Sequence, residues 1–240
     1  MGVAAIAATG DVASARAAQA ATQKIPIVFT LGADPVRFGL VASLNRPGGN
    51  LTGINLLSSI LAAKRVQLLT ELAPKVSRIA LLLNPNNFSA EAELADAESG
   101  AKKLGRELIA VRFRNADEID PAFDELVRAK ADAIISGTDP IVLDRRQQIV
   151  WFAARTAMPA AYFVRQFVDA GGLVSYGPSI SWMYRMAGEY VGHILKGANP
   201  AEMPVLQPTE FECVLNVGTA KTLGLTVPAS IYAATNEVVE

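Results

Sequence analysis

An α/β fold, parallel sheet wound with helices, is the class this sequence predicts, and three observations carry it. Apolar runs of strand length alternate with segments of helical period along the 240 residues. Several of the helical segments open on a capping residue and close on glycine or proline. The composition, 51% hydrophobic against 19% charged, is that of a compact globule and not of a disordered chain. A chain of this length folds as one large domain or as two modest lobes.

In order, Val3 to Ala8 reads as a buried strand, Asp11 to Thr22 as a helix capped by Asp11, and Ile25 to Leu31 as the next strand. The turn Arg46-Pro47-Gly48-Gly49-Asn50 leads into a short strand, Leu51 to Asn55. From Ser59, the apolar residues Ile60, Ala63, Val66, Leu69 and Leu72 recur at helical spacing until Pro74 stops them. Arg78 to Asn84 is a strand again. Ser89 can cap a helix whose first turn carries Glu91 and Glu93, both favoured at the positive end of the helix dipole. Glu107 to Phe113 and Asp132 to Ser136 are strands, and Asp117 with Asp120, then Asp144 with Gln147, approximate capping boxes. Met158 to Phe163 and Gly172 to Tyr176 are strands around a short helix, and Ser181 to Lys196 is a long helix stopped by Gly197 and Pro200. Phe211 to Asn216 is one more strand, followed by a short helix around Thr219 to Leu223.

Composition closes several functional routes. Lys+Arg 22 against Asp+Glu 23 gives a formal net charge of -1, so no cationic excess exists to release counterions from nucleic acid or anionic lipid. One cysteine, Cys213, and one histidine, His193, exclude an intrachain disulfide, a zinc finger and a multi-histidine metal centre. No run approaches the roughly 18–20 apolar residues of a bilayer-spanning helix. The stretch Met1 to Ala8 has no basic residue and its apolar run ends at Thr9-Gly10-Asp11, so no export signal is expected in the sequence as written.

In open α/β sheets ligands sit beyond the carboxyl ends of the strands. The residues at those ends are Thr9-Gly10, Gly32-Ala33-Asp34, Asn84 to Ser89, Gly137-Thr138-Asp139 and Ser175-Tyr176. Hydroxyls and helix N-terminal N–H groups suit a carboxylate, and aspartates suit an ammonium, so the set suits a small zwitterion. A plainer reading makes Thr9, Asp11, Ser89 and Asp139 turn and cap residues only. No glycine-rich phosphate motif occurs, and no cofactor is implied. There is no G-x-S-x-G elbow. His193 lies inside a long helix as a surface or packed residue, and Cys213 reads as a buried small hydrophobe, so an enzyme is not expected. Glu91/Glu93 and Glu237/Glu240 read as solvated helix faces, and Trp151 and Trp182 as core residues or cleft walls.

Several stretches are more specific. Ile25-Pro26-Ile27-Val28-Phe29, then Ala33-Asp34-Pro35-Val36, then Gly39 to Leu44 running into Arg46-Pro47-Gly48-Gly49-Asn50-Leu51-Thr52-Gly53, resemble the hallmark segment of the ABC-transporter substrate-binding family that includes tryptophan and tyrosine binders. Leu68 to Pro74, Ala80 to Pro85, Gly171 to Gly177, Pro204 to Asn216 and Thr219 to Pro228 extend the resemblance over essentially the whole chain. It implies a type I periplasmic-binding-protein fold: two doubly wound parallel-sheet lobes joined by three hinge crossings, near Asn55-Leu56, Gly177-Pro178 and Pro204-Val205. Lobe one is then residues 1–56 with 177–204, and lobe two residues 57–176 with 205–240.

The resemblance implies a non-enzymatic solute-binding component of an ABC importer. It would trap a small amino-acid-like molecule, possibly aromatic, between the lobes and present it to a membrane permease in the periplasm. A cytoplasmic ligand-sensing domain of the same fold is the alternative. Carried over by position, Thr9, Gly10 and Asp34 line the lobe-one wall, and Asn84, Ser89 and Asp139 the lobe-two wall, with Tyr176 beside them. Two departures stand out. Pro140 follows Asp139 where aromatic-amino-acid binders tend to carry asparagine, so one polar contact is missing. The family's export signal and its first β-α-β-α unit are not seen ahead of Val3, so lobe one is expected to be truncated, with an apolar edge exposed.

Overall fold

A computed structural model describes residues 2–57 and 60–240. It divides into two compact units, Met1–Leu57 with Ser179–Glu210 and Ser58–Pro178 with Phe211–Glu240. The helix start expected at Ser59 lies outside the described residues.

The first unit holds a three-stranded parallel sheet in the order β1 (Ile6–Thr9), β2 (Ile27–Leu31), β3 (Leu51–Asn55). Helix α1 (Val12–Ala21) follows β1, and its start is a capping box: Asp11 Oδ1 accepts from Ser14 N at 2.9 Å while Asp11 N–H donates to the Ser14 hydroxyl. Every residue of β2 and β3 is buried, because the sheet is covered on both faces. Ile27, Phe29 and Leu31 pack with Val12 and Ala15, while Val28 and Ile54 pack with Met183, Ala187 and Ile194 of the long helix Ile180–Leu195, numbered α8 in chain order. Residues 203–206 are stitched to this sheet. Val205 N–H donates to Leu44 O at 2.7 Å, Leu206 N–H to Gly53 O at 2.9 Å, and the Thr52 hydroxyl to Met203 O at 2.7 Å. The crossing expected near Pro204-Val205 therefore falls after Glu210, once those bonds have run out.

The second unit holds helices α2 (Ala62–Leu72), α3 (Ala90–Lys103), α4 (Ile119–Arg128), α5 (Pro140–Asp144), α6 (Arg146–Arg155), α7 (Gln166–Asp169), α9 (Val217–Thr222) and α10 (Ala229–Ala234). Its strands are β4 (Arg78–Leu83), β5 (Glu107–Arg112), β6 (Ala133–Ser136), β7 (Ala160–Tyr162), β8 (Val174–Gly177), β9 (Glu212–Asn216) and β10 (Glu237–Val239). They form one sheet in the order β10-β9-β8-β7-β6-β4-β5. The expected all-parallel arrangement stops at β8. Strand β9 pairs with it antiparallel, Gly177 opposite Glu212 and Tyr176 opposite Cys213, and β10 follows β9 in parallel. The chain leaves this unit at the end of β8 and re-enters beside it, so the returning strand must run the other way. Gly177 has no room for a side chain there, since a Cβ would lie 1.8 Å from Phe163 O.

Several expectations are corrected here. Strand β10 and helix α10 were not foreseen, and Glu237 stands in β10, not on a helix face. Glu93 is buried, not solvated. Ser89 sits in helical conformation and makes no side-chain cap bond. Asn115 caps the turn ahead of α4 through Asp117 N, and Asp139, not Asp144, caps the next helical segment. On α2 the buried stripe is Ala62, Arg65, Val66, Leu69 and Leu72, while Ile60 is exposed. Trp151 is exposed with Arg155 stacked 4.2 Å from its ring, so it is not core.

Candidate functional site

In each unit the strand-end residues gather at the carboxyl edge of the sheet. In the first unit, Thr9 ends β1 and is exposed, and Gly10 follows with φ +139. The Gly10 N–H reaches both the carbonyl and the hydroxyl of Thr30 at 3.3 Å. Asp34, beyond β2, is exposed, and one carboxylate oxygen accepts from Val36 N at 2.9 Å. That leaves its other oxygen to solvent. Asn55, at the end of β3, turns its side chain onto Leu57 N at 3.1 Å.

In the second unit, the ends of β4 and β6 are joined by one polar network. The Asp139 carboxylate accepts from Ile141 N at 2.8 Å through one oxygen, which caps α5. Its other oxygen accepts from the Asn84 and Asn87 side-chain amides, each at 3.0 Å. Asn84 in turn receives Asn86 N, and Asn87 receives Ser89 N. Asn84, Ser89 and Asp139 are all buried. A carboxylate offers about four acceptor sites, and Asp139 uses three here. The cap and the turn are thus real roles for these residues, and the fourth acceptor site remains for a further donor.

Beneath this network lies a pair that sequence reasoning leaves unassigned. Arg65 of α2 donates to Glu93 of α3 at 2.6 Å, and both side chains are essentially inaccessible. Glu93 also receives the Thr138 backbone N–H, at 3.0 and 2.9 Å from its two oxygens, and the Thr138 hydroxyl at 2.8 Å. Burial pushes the Glu93 carboxyl up and the Arg65 guanidinium down, and each charge opposes the shift in the other. The Arg65 guanidinium and the Thr138 N–H can only donate, so the contacts around Glu93 favour the ionised pair.

Tyr176 stands at the end of β8, half-buried, its ring 6.0 Å from that of Phe211. Burial pushes its phenol up. At the opposite edge of the same sheet, a cavity of about 110 Å³ is lined mainly by apolar residues, among them Val150, Met158 and Leu223. None of the expected site residues reaches it. Among the described residues, no group of three or more His, Cys, Asp or Glu is placed to hold a metal.

The chain from residue 3 to residue 239 matches the family described as ABC transporter substrate binding protein. It belongs to that family. The family is one of solute-binding proteins and not of enzymes, and its members are typically extracytoplasmic. The chain is 30% identical over 212 residues to the tyrosine-binding protein of Clostridioides difficile, covering 88% of this chain. It spans 61% of the length of that relative. Among solved structures, a conserved domain protein of Vibrio cholerae superposes with a TM-score of 0.88 at 26% identity, over 99% of this chain and 79% of that one. An ABC domain in complex with L-Trp from Streptococcus pneumonia superposes with a TM-score of 0.87 at 24% identity, over 99% and 81%. The fold is that of the type I periplasmic binding proteins. Among the described residues, no helix is long and apolar enough to cross a membrane.

Proposed function

We propose that this substrate-binding protein is the solute-binding component of an ABC importer, taking a small amino-acid-like molecule for delivery to a membrane permease in the periplasm. One observation carries the reading: the buried Asp139, held by Asn84 and Asn87 at the ends of β4 and β6, is a fixed anion with an acceptor site to spare. That suits a ligand ammonium. Asp34, with one carboxylate oxygen outside its turn beyond β2, is a second such group; Thr9, Ser89 and Tyr176 add hydroxyls, and Gly10 leaves open space beside Thr9. The name of the tyrosine-binding relative supports an amino acid as ligand, and the Tyr176–Phe211 pair supports an aromatic one.

The experiment is a thermal-shift and calorimetric panel of L-tyrosine, L-tryptophan, L-glutamate, L-lysine and D-glucose. A ligand at about 100 times its Kd adds about 2.7 kcal/mol to the folded state. A shift with the aromatic amino acids alone is expected, and a shift with glucose alone would overturn the reading. In D34N the turn to Val36 is kept, because an asparagine carbonyl accepts the same bond. Affinity is nonetheless expected to fall about tenfold, for want of the charge-assisted contact, with Tm unchanged.

A further inference from the structure

We propose that Arg65 and Glu93 are positioning residues for the ligand wall of the second unit, an inference that rests on the functional reading above. They fix the Gly137–Asp139 turn from below. Glu93 takes both donors that Thr138 offers, its N–H and its hydroxyl, while the Thr138 carbonyl accepts from the Asn87 amide at 3.0 Å. Asp139, the next residue, is held from the other side by Asn84, Asn87 and Ile141 N. The turn is therefore clamped on both flanks, and a Cβ at Gly137 would lie 2.3 Å from Leu82 O, so the backbone has no slack there.

Stability does not account for the pair. Burying two charges costs more than their attraction commonly returns, and apolar residues of similar volume usually serve as well or better. Arg65 is also poorly served where it lies, since among the described residues its Nε and Nη1 find no hydrogen-bond acceptor. An arginine at 0% exposure with two of its three nitrogens unpartnered among the described residues is an inefficient way to fill a core. What the pair does supply is a carboxylate at the one place that needs to receive an N–H and an O–H together. Arg65 is the counter-charge that keeps this carboxylate ionised, because a guanidinium holds its proton at any physiological pH. Asp96 adds to the arrangement by accepting Ala63 N at 2.8 Å, which anchors the start of α2, where Leu61 offers no side-chain cap.

The test compares the parent chain with R65M/E93M, which fills the buried space with unbranched apolar side chains, and with T138S, which keeps both contacts to Glu93. Hydrogen exchange at the Thr138 amide is expected to quicken at least about tenfold in R65M/E93M while β6 exchanges as in the parent. Affinity for L-tyrosine and L-tryptophan is expected to fall about tenfold with the unliganded Tm held or raised, and T138S is expected to match the parent throughout. A purely structural role would move Tm and leave affinity and Thr138 exchange alone, which would overturn the proposal. So would faster exchange with unchanged affinity, because the turn would then be fixed but not ligand-facing. A parent chain that binds neither amino acid overturns the functional reading and the ligand role together, and is recognised because R65M/E93M still loosens the turn. Should R65M/E93M not fold, T138V removes the hydroxyl contact without uncovering a charge and is read by the same two measurements.

Discussion

At the scale of single residues, burial decides which groups can answer to pH. The Cys213 thiol and the phenols of Tyr162, Tyr176 and Tyr190 are all pushed up by burial, so the folded chain keeps these protons to higher pH than the unfolded chain does. Their contribution is intact below the unfolded values and is lost as pH rises through the folded ones. Stability is therefore expected to fall steadily above about pH 9, where unfolded thiols and phenols begin to ionise. Tm measured from about pH 7 to about 10.5 checks it, and a flat profile would refute it. Cys213, 1% exposed, is likewise expected to react with a thiol reagent at the rate of unfolding and no faster. That Asp139 and Asn84 stand beyond strand ends was legible in the sequence, because the ends follow once the strands are read. Arg65 was not. It is one of 22 basic residues and adjoins an apolar stripe, and only the three-dimensional position of Glu93, 28 residues on, marks it as buried.

At the scale of elements, the sequence showed what local chemistry determines and missed what distant pairing determines. The cap at Asp11 could be read directly, though not the reciprocal bond to Ser14, and D11A is expected to cost about 1 kcal/mol in chemical denaturation. Leu69, fully buried on α2, is expected to cost about 2–5 kcal/mol when cut to alanine. Strand β10 carries no such signal, with three residues and no fully buried position. It exists because Val214 to Asn216 offer it a ladder, and because Arg165 takes Glu237 at 2.9 Å. That hydrogen bond holds the Glu237 carboxyl below its usual range, so its contribution is present above the ordinary carboxylate pKa and fades as pH falls through the lowered one. E237Q is expected to flatten the acid limb of the stability profile, and an unchanged limb would show the pair to be inert. Glu93 and Ser89 were misread for a related reason. Their helix was placed correctly, but a helix start says nothing about which neighbour will cover it.

At the scale of the whole molecule, the fold class lay in the alternation of strands and helices and in the resemblance that spans the chain. The third crossing was placed several residues early. Val205 and Leu206 look like linker, yet both are hydrogen-bonded to the first unit through carbonyls of Leu44 and Gly53, far upstream in sequence. The reversal of β9 follows from that same return of the chain.

Strands β8 and β9, antiparallel with Gly177 facing Glu212, are a β-hairpin in every respect but one: the loop between them is a piece of another folding unit, Ser179–Glu210. A hairpin's register is set by its turn type and loop length together with the faces its side chains must bury, and a two-residue turn suits strands whose last residues already face each other. Replacing residues 179–210 by a two-residue Asn-Gly turn is therefore expected to give the second unit as one uninterrupted chain with a single cooperative melt.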